Sequence, residues 1–94
     1  MAPMTQQERE KLARELAELS FNKASGKVRR LDARGRLAYF RNSQSPTQLY
    51  TRYELPTLGV AVTLIEGVEE KAIENSPRFK SEYKLQEVIV EALN

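Results

Sequence analysis

The segment Val60-Ala61-Val62-Thr63-Leu64-Ile65 constrains the fold more than any other part of the chain. Successive residues of a β-strand point to opposite faces, and here both sets are apolar or nearly so. Val60, Val62 and Leu64 share one face; Ala61, Thr63 and Ile65 share the other. Such a strand is stable only inside a sheet, with neighbours at both edges and cover on both faces. The surrounding apolar run, Leu58 to Ile65, is eight residues long and contains a Gly and a Thr. It is far too short to span a bilayer as a helix.

The neighbours can be read on either side. Gln48 to Leu55 alternates, with Leu49, Thr51, Tyr53 and Leu55 on one face and Gln48, Tyr50, Arg52 and Glu54 on the other. Pro56-Thr57-Leu58-Gly59 reads as a tight turn, with Pro fixing its second position and Gly supplying a positive φ. Tyr83 to Leu93 returns to strand composition around Val88-Ile89-Val90. The polar stretch Gly67–Ser76 suits a short helical turn near residues 69–75, limited by Pro77. Upstream, Lys27–Leu31 and Leu37–Arg41 flank Asp32-Ala33-Arg34-Gly35, which reads as a hairpin turn, and Asn42–Thr47 as a polar loop.

The N-terminal part has a different period. Thr5-Gln6-Gln7-Glu8 has the form of a capping box, and Leu12, Leu16 and Leu19 follow at helical spacing. A helix over residues 6–20 and a linker over 21–26 are the expectation. The chain then reads as one α+β domain over residues 1–94. An N-terminal helix is followed by about five antiparallel strands within residues 27–94, forming a small barrel-like or strongly curved sheet.

Composition narrows the chemistry. Among 94 residues there is no Cys, His or Trp. Disulfides, thiolate nucleophiles, zinc–thiolate sites and Ser-His or Cys-His catalysis are excluded within this chain. Asp and Glu spacing offers no Ca²⁺ loop, and the four Gly residues form no phosphate loop. The expectation is a non-catalytic protein with no cofactor and no bound metal. The N-terminus lacks the apolar stretch of a secretory signal, so a reducing, cytoplasmic setting without membrane attachment is expected.

Net charge is +2, from 15 Lys and Arg against 13 Asp and Glu. Its distribution is uneven. Residues 1–22 carry −1, residues 23–52 carry +7, and residues 53–94 carry −4. The central block holds Lys23, Lys27, Arg29, Arg30, Arg34, Arg36, Arg41 and Arg52 against Asp32 alone. Arg makes charge-assisted, often bidentate bonds to phosphate, and interleaved aromatic rings can stack on bases. This points to a nucleic-acid surface, RNA or DNA, in which Arg29, Arg30, Arg34, Arg36, Arg41 and Arg52 contact phosphate and Tyr39 and Tyr50 stack. In a regular strand, however, Arg29 and Arg30 point to opposite faces, so the hairpin must project with both faces wet or contain a bulge.

The alternative is an assembly or adaptor subunit, in which the basic block meets the acidic C-terminal segment by complementarity. Self-association through the C-terminal strand edge or through the Leu12–Leu16–Leu19 stripe is its concrete form. Glu87 and Glu91, sharing a face with Ile89, would either protect that edge or meet basic residues of a neighbour.

Overall fold

The computed structural model describes residues 3–32, 38–45 and 47–93, with the strand 38–45 described by its backbone. Two helices, α1 (Gln6–Ala17) and α2 (Phe21–Leu31), precede four strands: β1 (Ala38–Ser45), β2 (Gln48–Leu55), β3 (Val60–Ala72) and β4 (Phe79–Ala92). The strands form an antiparallel meander in the order β1-β2-β3-β4. The sheet is open, not closed or strongly curled; β2, β3 and β4 make its packed body, and β1 pairs along the free edge of β2.

The apolar segment sets the centre as expected. β3 pairs with β2 from Val60↔Leu55 to Gly67↔Gln48, and with β4 along its whole length. Thr51, Tyr53 and Leu55 of β2 and Val60, Val62 and Leu64 of β3 lie buried on one face. Leu12 and Leu16 of α1 and Ala24 and Val28 of α2 close over them. α1 lies over β4 and α2 over β3, which makes a two-layer α+β fold. Ala61 and Ile65, on the other face, are also buried.

Several local signals act as read. Thr5 Oγ1 accepts from the Glu8 N–H (3.2 Å) and Glu8 Oε1 accepts from the Thr5 N–H (3.0 Å). The Pro56–Gly59 turn is closed by Leu58 N–H to Leu55 O and Gly59 N–H to Pro56 O, with Gly59 at φ 66°. The Met4 N–H donates to Leu58 O and the Leu93 N–H to Gly59 O, tying both ends of the chain to this turn.

Other expectations are corrected. The 6–20 helix ends at Ala17, because Leu19 and Ser20 turn the chain into a second helix whose N-cap is Ser20. The 21–26 linker is the first half of that helix. Phe21, Ala24, Ser25, Val28 and Leu31 form its sheet-facing stripe, and Ala24 and Ser25 are small enough to let the helix approach the strands. Ser25 Oγ and Tyr53 Oη hydrogen-bond in the buried interface. Gly26, which breaks the apolar pattern, faces away from the sheet under the Arg30 side chain. Lys27–Leu31 is therefore helical and is not the first strand of a 27–41 hairpin; residues 33–37 lie outside the described residues.

Among the described residues the strands number four, against the expected five or so, and an open sheet stands in place of the barrel-like closure. The 42–47 loop is mostly β1, which continues to Ser45. The helical turn near 69–75 is strand, because β3 stays paired with β4 to Ala72↔Phe79. The tip is the loop 73–78, with Asn75 at φ 61°, a conformation Asn tolerates. Beyond the helices, β3 and β4 thus project as a two-stranded arm, and the molecule extends 55 × 21 × 21 Å.

Two glycines test this assignment in opposite directions. Gly26→Ala is expected to stabilise the protein by roughly 0.5–1 kcal/mol, since helix propensity rises and only the flexible Arg30 head must yield. Gly59→Ala is expected to destabilise it by roughly 1–2 kcal/mol, from its positive φ and the 3.1 Å approach of the added Cβ to Pro3. Urea midpoints measure both; a loss of stability in Gly26→Ala would contradict a helix through residue 26.

Candidate anion-binding surface

In a helix, residues 23, 27 and 30 fall on one ridge. Lys23, Lys27 and Arg30 therefore line one flank of α2, about a third of a turn round the helix from the buried Ala24 and Val28, with Lys27 half-buried towards α1. Together with Leu19, Asn22 and Gly26 they border an open groove of about 550 Å³. α2 carries four cations, with Arg29, and no Asp or Glu. Lys23 and Arg30 are exposed and form no ion pair among the described residues. Arg30 lies back along the helix, close enough that a Cβ on Gly26 would sit 3.3 Å from its Nη1.

The other two cations have structural partners. Lys27 Nζ donates to Glu15 Oε2 at 2.8 Å and joins the two helices. This hydrogen bond, and the charge behind it, lower the Glu15 carboxyl below its ordinary value of 4.5. The Arg29 guanidinium stands 5.7 Å from the centre of the Tyr53 ring, which is fully buried.

The residues read from sequence as one site divide between the two sides of the sheet. Arg29 and Arg30 are on the helix side. Tyr50 and Arg52 are on the face opposite the helices, so the thickness of the sheet separates the pairs. Arg52 Nη1 lies 3.0 Å from Glu91 Oε1, reaching across β3 to β4. Half-buried Tyr50 donates its hydroxyl to Gln48 Oε1 (3.0 Å), and Gln48 Nε2 donates to Gln86 Oε1 (3.1 Å). Both side chains are used in covering the sheet. Tyr39 and Arg41 occupy β1 register positions opposite Tyr53 and Thr51. Arg34 and Arg36 lie outside the described residues.

Lys23 and Lys27 were not among the site residues inferred from sequence. Their spacing with Arg30 would have indicated one ridge, had the helix been continued through Gly26. Among the described residues, no group of three or more acidic side chains is gathered where it could hold a metal ion, and no helix is long and apolar enough to cross a membrane. No protein-family model, curated protein or solved structure matches the chain.

The two acidic anchors of the helix layer give a pH prediction. The Thr5 backbone N–H and then its hydroxyl lower the Glu8 carboxyl, as Lys27 lowers that of Glu15. Both carboxyls lie lower in the folded than in the unfolded chain. Their stabilisation is therefore present above the ordinary value of 4.5 and fades as pH falls through the lowered folded values. The urea midpoint is expected to drop between about pH 5 and about pH 3, and less steeply in Glu15→Gln than in the parent chain. Equal slopes would show that the Glu15–Lys27 pair adds nothing to stability.

Proposed function

We infer that the chain is a small non-catalytic module that binds the phosphate backbone of nucleic acid through α2 and the basic segment following it. One observation carries this reading: α2 has four cations and no anion, with three of the cations bordering one groove and two of those, Lys23 and Arg30, exposed. Lys23 and Arg30 are the exposed phosphate contacts, and Lys27 serves both the groove and Glu15. Arg29 stands beside them over Tyr53. Arg34, Arg36 and Arg41 follow in sequence and continue the positive block. Tyr50 and Arg52 are left out of this surface by their position on the opposite face. Tyr39, on β1, is kept as the stacking residue.

A ridge of this kind reads charge rather than sequence, because phosphate contacts carry no base information. Binding of random-sequence RNA and DNA should therefore show little sequence preference and a steep salt dependence. For about four phosphate contacts, affinity is expected to fall on the order of 100-fold between about 50 and about 200 mM salt. Lys23→Glu with Arg30→Glu should weaken binding at least tenfold and lower the salt slope by about two. Arg52→Glu serves as the control on the other face and should leave affinity within about twofold. Absence of binding at low salt, or a double variant that binds as well as the parent, would remove the reading.

Assembly through the edge of β4 is the second reading, favoured by the pairing of that strand with β3 alone among the described residues. The Arg52–Glu91 pair meets within one chain, so it neutralises the two blocks inside the fold.

A further inference from the structure

The sheet ends at β4, and β4 is an unusual strand. Among its fourteen residues none is buried, although its inner face continues that of the core. Val88 and Val90 are only half-buried, and Phe79, Tyr83 and Ile89 are 65%, 56% and 38% exposed. Among the described residues, the backbone of β4 pairs with β3 alone. Its first half belongs to the projecting arm. On the inner face the arm presents Val68, Ala72, Phe79 and Tyr83, with the Glu70–Ser81 pair between them; on the outer face it presents Glu69, Lys71, Lys80, Glu82 and Lys84. A two-stranded hairpin is marginal by itself in water, and an apolar face on it calls for cover.

We propose that the edge of β4 pairs antiparallel with β4 of a second copy of this chain, about a two-fold axis between Leu85 and Gln86. Charge selects both the occupant and the register. The first half of β4 is basic at Lys80 and Lys84, and the second half is acidic at Glu87 and Glu91. Antiparallel pairing of two copies sets Lys84 opposite Glu87 and Lys80 opposite Glu91, each twice by symmetry. Lys84 and Glu87 are exposed and form no ion pair or hydrogen bond among the described residues, so both are free for this contact. A shift of two residues either way sets Glu82 opposite Glu87 or opposite Glu91, like charge against like. In the proposed register Glu82, which holds Lys71 and Lys80 of its own arm, faces Ile89.

The bulge in β4 makes this register possible. Between Ile65 and Glu66 the β3–β4 pairing skips Gln86, and the Gln86 side chain lies over Gly67, where a Cβ would overlap it. The extra residue reverses the face parity of β4. Lys80, Glu82 and Lys84 therefore share the outer face with Glu87, Ile89 and Glu91. Without it, pairing about an axis between two residues would set outer against inner side chains. The inner face then matches Tyr83 with Val88 and Phe79 with Ala92.

Cover for the two rings comes from α1 of the second copy. α1 lies over β4, and its flank towards α2 carries Glu15, bound to Lys27. Ala13 and Ala17, roughly 160° round the helix from Glu15, face past the strand edge where the rings arrive. Strand pairing over this length with two aromatic rings covered buries on the order of 1,000 Å², the lower range of specific interfaces.

The dimer does not depend on nucleic-acid binding by α2, and either can fail alone. Sedimentation of the full chain at about 100 μM, above the micromolar Kd such an interface supports, should give a dimer. Lys84→Glu and Glu87→Lys should each raise the dimer Kd at least tenfold, and the two together should restore it to within about threefold. Far-UV circular dichroism and the urea midpoint show whether each variant is folded. The chain has no cysteine, so Lys84→Cys with Glu87→Cys provides an independent probe. Oxidation should yield a covalent dimer, since within one strand these positions are about 10 Å apart and cannot bridge. A monomer at this concentration overturns the proposal. A dimer that ignores the charge reversal and fails to cross-link overturns it too, by placing the contact elsewhere.

Discussion

The helices are too short for the strands they cover, and most of the architecture follows from that mismatch. α1 and α2 have twelve and eleven residues, β3 and β4 thirteen and fourteen. At about 1.5 Å per helical residue and about 3.4 Å per strand residue, roughly 18 Å of helix lies on roughly 45 Å of strand. Where the layers overlap, Leu12, Leu16, Ala24 and Val28 bury Tyr53, Leu55, Val60, Val62 and Leu64. Beyond Glu66 the same face continues as Val68, Ala72, Phe79 and Tyr83; Tyr83 borders an open groove beside Phe21 and Asn22 at the start of α2, and the face runs on past the helices towards the tip. Core and arm are thus one surface, half of it covered within the chain.

The opposite face is closed by different means. No second helical layer exists among the described residues, yet Ala61 and Ile65 are buried there. Long polar side chains do the covering. The Arg52–Glu91 pair spans β2 to β4, and Tyr50, Gln48 and Gln86 form a hydrogen-bonded chain towards Gly67. Their apolar stems lie on the sheet while their heads pair with one another. This use fixes Tyr50 and Arg52 in place. α2 has the opposite arrangement: its packing is satisfied by one stripe and by Lys27, which joins it to α1, and the same ridge carries Lys23 and Arg30, which form no ion pair among the described residues.

What was legible in the sequence follows the range of the interactions that decide it. The capping box, the Pro56–Gly59 turn, the alternation of residues 48–55 and the doubly apolar β3 are set by neighbours within a few positions. α2 was not legible, because its buried stripe uses Ala24 and Ser25 in place of large apolar residues, and Gly26 interrupts the pattern. Its burial is visible only once Tyr53 and Val28 are brought together. The distal half of β3 was missed for a related reason. Val68-Glu69-Glu70-Lys71-Ala72 has no clean alternation, since Glu70 lies on the inner face, and its strand state depends on pairing with residues 79–84. The site changed with the fold. Reading Lys27–Leu31 as strand scattered Arg29 and Arg30 to opposite faces, whereas the helix aligns Lys23, Lys27 and Arg30.

The two surfaces constrain each other through symmetry. A two-fold axis perpendicular to the sheet keeps both helical layers on the same side of a continuous eight-stranded sheet. It would therefore present two α2 ridges in one direction, with the polar outer faces, where cations and carboxylates are mixed, turned away. One ridge offers a few phosphate contacts, and affinity from so few is weak at physiological salt. Two ridges on one rigid platform turn the second contact into an intramolecular event, which raises avidity by orders of magnitude without any new side chain, provided the ligand spans both. An isolated ridge of three cations gains most from such doubling. A polymer with charge repeated along its length suits a doubled ridge better than a small phosphate ester does, since only the polymer can reach both.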